Sequence, residues 1–126
     1  MLTRRACLAA AAATPLLVAA PAVAAGEVEA ARDVMRRATR FMTDKAATNG
    51  GYVWSYLSDF SRRWGEMEAL PRMIWTQAPG TPEMGQIFLD AWRATGEAQY
   101  LEAAVAAGDA LIQGQHPSGG WNYVID

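Results

Sequence analysis

The residue types able to do chemistry crowd into one stretch. Arg62-Arg63-Trp64-Gly65-Glu66 sets two guanidiniums beside a ring and a carboxylate, and Arg72 follows close behind. Paired arginines in a loop can hold carboxylates through bidentate hydrogen bonds. Asp59, Glu66 and Glu68 can pair with these arginines, or offer oxygens to a hard cation such as calcium. The spacing matches no calcium loop, and a surface ion-pair network suits the same charges. Rings are concentrated here too. Tyr52, Trp54, Tyr56, Phe60 and Trp64 fall within 13 residues, and Trp75 and Trp121 lie beside loops. Exposed rings next to polar groups suit the apolar faces of sugars, whereas buried ones are core. Taken singly each ring reads as core; the cluster reads as a binding surface. His116, the only histidine, precedes Pro117 in a loop. It suits an acid–base group, or a cap on the end of the helix before it.

Other chemistries are disfavoured. The chain has no G-x-S-x-G, Walker loop, dinucleotide fingerprint or H-E-x-x-H, which argues against hydrolase-triad, nucleotide and zinc-protease readings. Its one cysteine, Cys7, lies in residues 1–25, a segment that reads as a removable export signal. There Arg4-Arg5 precedes a weakly hydrophobic, alanine-rich run from Ala9 to Ala20, and Ala22-Val23-Ala24 offers a small-x-small cleavage site. Twin-arginine export fits this pattern, with a plain secretory signal as the alternative. The expected location is the periplasm or the exterior. Residues 26–126 then carry 9 basic against 13 acidic side chains, a balance of −4. That argues against a nucleic-acid binder. No later run approaches 18 apolar residues, so no membrane span is expected.

The elements that must position these residues are mostly helical by pattern. Val28, Ala31, Met35, Ala38, Met42 and Ala46 recur at spacings of three and four and predict a helix from Val28 to Ala47 with that stripe inward. Arg32, Arg36 and Arg40 should face water. Asn49-Gly50-Gly51 stops it, and Tyr52, Trp54 and Tyr56 alternate as in a short extended segment with three rings on one side. Residues 58–81 show no clear period, with Gly65, Pro71, Pro79 and Gly80 as punctuation. This reads as a functional loop with room for a short helix over 66–73. Thr81-Pro82 predicts a helix start capped by Thr81, with Gly96 as its stop. Met84, Ile87, Phe88, Ala91 and Trp92 form its stripe. A third helix spans Ala98 to Gln113, with Leu101, Ala104, Val105, Ala107, Gly108, Leu111 and Ile112 inward. The link at Gly96-Glu97 makes the last two helices antiparallel neighbours.

One internal likeness stands out. Gly50-Gly51 and Gly119-Gly120 are 69 residues apart, each following a helix and preceding an aromatic-x-aromatic segment. With that offset Ala38 matches Ala107 and Met42 matches Leu111. The pattern predicts an all-α fold of helical hairpins, an incomplete α/α toroid with short aromatic strands after its Gly-Gly turns.

Residues 49–57 (Asn-Gly-Gly-Tyr-Val-Trp-Ser-Tyr-Leu) and 61–66 (Ser-Arg-Arg-Trp-Gly-Glu) resemble the N-terminal part of the pectate (pectic acid) lyase family. So do Pro79-Gly80-Thr81-Pro82 with Met84-Gly85, Ala94-Thr95-Gly96-Glu97, and residues 115–123 from Gln115 to Tyr123. The likeness covers about residues 30–126. It implies an α/α-toroid polysaccharide lyase that cleaves polygalacturonate or a related uronan by β-elimination. It also implies arginines, and calcium as a cofactor, that neutralise the uronate carboxylate. No catalytic residue of the family carries over to a numbered position here. The substrate-binding candidates are Tyr52, Trp54, Arg62, Arg63, Trp64, Glu66, Arg72, His116 and Trp121. A toroid needs more hairpins than about 100 residues supply, so residues 26–126 are expected to be an N-terminal portion with little lyase activity alone. The alternatives are another α/α-toroid enzyme (a glycoside hydrolase or an epimerase) or a non-catalytic carbohydrate-binding helical module. The first needs paired carboxylates or histidines on hairpin loops, and only Glu66, Glu68 and His116 are to hand.

Overall fold

The computed structural model describes residues 25–126. The export-signal reading of residues 1–25 therefore lies outside the described residues, except Ala25, which opens the first helix. Helix α1 (Ala25–Phe41) runs into one π turn, Met42–Ala46. Three two-residue strands follow, β1 (Ser55–Tyr56), β2 (Arg63–Trp64) and β3 (Glu68–Ala69), in one antiparallel sheet ordered β1-β2-β3. Strand β4 (Ile74–Trp75) leads to helices α2 (Thr81–Thr95) and α3 (Ala98–Gln113). Strand β5 (Val124–Ile125) returns to pair antiparallel with β4, Ile74 opposite Ile125 and Trp75 opposite Val124. Among the described residues, no helix is long and apolar enough to cross a membrane.

The architecture is thus mixed α/β, which corrects the all-α toroid expected from the sequence. Among the described residues only α2 and α3 form a helical hairpin. The span between α1 and α2 pairs its backbone in short ladders instead. Glycine and proline break any helix there, and the backbone groups still need partners. The short helix expected over 66–73 does not form. Glu68 and Ala69 pair with Trp64 and Arg63, and the Met73 N–H closes a turn onto the Leu70 carbonyl at 3.0 Å.

Three helical faces also differ from the expected stripes. On α2, Phe88 is buried but Ile87 and Trp92 are exposed. On α1, Val28, Ala31 and Ala38 are exposed, while Thr39 is buried. Arg36, expected to face water, forks onto Glu97 instead. Its Nε and Nη2 donate to the two Glu97 carboxylate oxygens at 2.9 and 2.8 Å. The stripe holds few bulky apolar side chains, so a charge-assisted fork sets the helix orientation. On α3, Tyr100, Ala103, Ala104, Ala107 and Ala110 are buried, whereas Val105 and Ile112 are exposed. Alanines allow the close approach that larger side chains forbid.

The core joins Ala46, Tyr52, Phe88, Ala103 and Ala104. The Gly50-Gly51 turn packs on the Ala106 backbone of α3 and on Ile74 of β4. Gly50 has φ +84°, and a Cβ there would strike the Ala106 carbonyl; one at Gly51 would overlap Ile74. Thr81 does not cap α2. Its hydroxyl, fully buried, accepts from the Tyr52 N–H at 2.9 Å and donates to the Tyr52 carbonyl at 3.2 Å. Gly96 ends α2 in the left-handed conformation expected of it, φ +73°.

Candidate functional site

The three-stranded sheet brings the arginine pair to one side of a cleft of about 220 Å³. Lys45, Tyr56, Phe60, Arg62, Arg63 and Glu68 line it. The antiparallel register sets Trp64 opposite Glu68 and Arg63 opposite Ala69. Arg62, just ahead of β2, lies over the Trp64 ring with its guanidinium carbon 5.1 Å from the centroid. Its Nε and Nη2 both donate to the Glu68 carboxylate, each at 2.6 Å. That fork holds the Glu68 carboxyl below its usual range and raises Arg62. Both side chains remain about half exposed, at 56% and 49%.

Arg63 does a different job. Its Nη1 donates to the Thr48 hydroxyl at 2.6 Å and the Pro71 carbonyl at 3.0 Å, and Nη2 to the Met73 carbonyl at 2.8 Å. Its guanidinium also lies over the Tyr56 ring, and its Nε is buried without a partner among the described residues. Partial burial lowers its pKa from the ordinary arginine value. Arg63 thus ties β2 to the loop before β4, with its charge at the cleft wall.

The aromatic candidates separate. Tyr52 is 1% exposed and packs on Phe88. Burial pushes its hydroxyl up to about 12, and it belongs to the core. Trp54 is half-buried against Trp75, and its indole N–H reaches the Gln77 carbonyl at 3.2 Å. Tyr52 and Tyr56 join one apolar cluster while Trp54 packs elsewhere, so the three rings do not form one platform. Phe60 packs on both Tyr56 and Phe41. Trp121 is half exposed and tied by its indole N–H to the Leu111 carbonyl at 2.7 Å, which also accepts the Gly114 N–H at the end of α3.

The remaining candidates stand apart from the cleft. Arg72 is exposed and forks onto Asp126. Glu66 is exposed and forms no ion pair among the described residues. His116 is exposed too; its Nδ1 meets the Ser118 hydroxyl at 2.9 Å and accepts the Ser118 N–H at 3.2 Å. It closes its own turn and does not cap α3. The carboxylates named for calcium do not converge either. Asp59 accepts from the Ser61 hydroxyl and N–H, which lowers its pKa, while Glu68 is held by Arg62. Among the described residues no three His, Cys, Asp or Glu side chains are grouped to hold a metal ion. The calcium implied by the resemblance finds no donor set in them.

Lys45 is the residue that sequence reasoning missed. It sits on the π turn and brings a third cation to the cleft. No sequence signal marks it, because its place at the cleft depends on the π turn Met42–Ala46. Comparison with family models, curated proteins and solved structures finds no match.

Proposed function

We propose that this chain recognises an acidic polysaccharide of the polygalacturonate class, as the uronan-binding part of a pectate lyase-like activity working outside the cytoplasm. One observation carries the reading. Lys45, Arg62 and Arg63 share a small cleft walled by Tyr56 and Phe60, against the single negative charge of Glu68. The cleft lies below the ~300 Å³ at which pockets for drug-sized ligands begin. It suits the carboxylate edge of one sugar ring, with the chain running on across the surface.

Uronan β-elimination removes the proton beside the carboxylate, forms a C=C bond and expels the 4-linked oxygen, which leaves with a proton. Negative charge gathers on the carboxylate as the proton departs, so fixed cations there lower the barrier. Lys45 and Arg62 fit that role. Arg63 is held by three oxygen acceptors and serves as a wall charge, not as a base. The described residues thus supply recognition and charge neutralisation more readily than proton abstraction. That favours, as a second reading, a carbohydrate-binding module without lyase activity of its own.

Calorimetric titration with polygalacturonate oligomers tests the recognition. Binding should be lost in Lys45→Ala/Arg62→Ala and absent for neutral glucans. Equal binding of neutral glycans, or an unchanged double variant, would overturn it. A parallel absorbance assay for new C=C bonds separates the two readings: a clear rise favours a complete lyase, and a flat trace the binding module.

A further inference from the structure

Resting on that reading, we infer that Glu68 is a resident competitor, a carboxylate of the protein's own that occupies Arg62 where a ligand carboxylate would bind. Its two bonds to Nε and Nη2, each 2.6 Å, have the fork geometry by which an arginine grips any carboxylate. Trp64 holds the guanidinium face from below, so Arg62 stays oriented when its edge changes partner. Both members of the pair are about half exposed, so a ligand reaches them without unfolding anything. Exposed pairs of this kind contribute little to stability, and exchanging one carboxylate for another costs the fold little. Lys45 and Arg63 differ from Arg62 in this respect. Lys45 has no ion-pair partner among the described residues, and Arg63 is bound to neutral oxygens. Arg62 is therefore the cation whose availability an acid side chain controls, and Glu68 sets how strong an acidic ligand must be to claim it.

The test is titration of wild type, Glu68→Gln, Arg62→Ala and the double variant with polygalacturonate oligomers at fixed salt. Gln keeps the side-chain shape and one acceptor but removes the competing charge. Glu68→Gln should bind about two- to five-fold tighter than wild type, with an unchanged melting temperature. The gain should vanish in the Arg62→Ala background, because it acts through that guanidinium. Equal or weaker binding by Glu68→Gln, or a full gain that persists without Arg62, overturns the inference while leaving the functional reading intact. Failure of both wild type and Glu68→Gln to bind overturns the functional reading, and this inference with it.

Discussion

Gly65, in the middle of the arginine-rich stretch, is a packing residue, and Gly65→Ala measures how tightly. A Cβ at this position would overlap three carbons of the Trp75 indole, well inside the 3.0 Å that real contacts keep. Trp75 cannot step aside cheaply. It is 1% exposed, packs on Trp54 at 5.6 Å between centroids, and its backbone N–H is bonded to the Tyr52 carbonyl at 2.8 Å. Strand β4 is further pinned by β5. Overpacking of a filled core costs ~1–3 kcal/mol, and disturbing the Trp54–Trp75 pair adds ~0.5–1.5 kcal/mol. The expected loss is about 2–4 kcal/mol, which for a domain of this size lowers the melting temperature by roughly 10–25 °C. Thermal unfolding followed by near-ultraviolet circular dichroism reads both the stability and the tryptophan environment. Adding Trp75→Leu should give a double variant more stable than the sum of the single losses implies, because the overlap is gone. A loss below about 0.5 kcal/mol for Gly65→Ala, within the range of ordinary surface changes, would refute the reasoning.

Three further outcomes follow from buried or bridging polar groups. Thr81→Val should cost ~1–3 kcal/mol in urea unfolding, because it leaves the Tyr52 N–H buried without its acceptor; Thr81→Ser should recover much of that. Tyr100→Phe should hold or raise stability by up to ~1 kcal/mol, since the Tyr100 hydroxyl is buried without a partner among the described residues; a clear loss would reveal a bond that this geometry lacks. Glu97 has its pKa lowered by hydrogen bonding to Arg36, so its stabilising contribution is present above the ordinary glutamate range and is lost as pH falls through the lowered value. Hydrogen exchange should show α1 losing protection before α2 and α3 on acidification, and Glu97→Gln should remove that difference.

The parts of the fold legible in the sequence are those with a local cause. The bounds of α3, the stop of α2 at Gly96 and the turn at Gly50-Gly51 follow from helical period and glycine. Of the strands, β1 falls inside the extended segment that the alternation of Tyr52, Trp54 and Tyr56 marks, whereas β2, β3 and β4 lie where two residues are too few to show a period. Ser55–Tyr56, Arg63–Trp64 and Glu68–Ala69 are strands only through one another. The inward faces of the helices depart from the stripes because tertiary partners choose them: Glu97 draws in Arg36, and the close packing of α3 on α2, where Gly85 meets Ala107, selects alanines. Of the candidate site, Arg62, Arg63 and Trp64 are neighbours as their adjacency suggests, yet only Arg62 is paired with a half-exposed carboxylate, while Arg63 is held by neutral oxygens. Tyr52 looked like a platform because alternation alone does not distinguish a buried ring from an exposed one. Lys45 was hidden because its place at the cleft depends on the π turn that ends α1.

We propose that the cations of this cleft select an acidic polysaccharide. Titrating polygalacturonate oligomers into wild type and Lys45→Ala/Arg62→Ala at two salt concentrations tests it most directly. Wild type should bind measurably and more weakly as salt rises, and the variant should not bind, at unchanged melting temperature. Binding that is insensitive to salt and equal in the two proteins would contradict it.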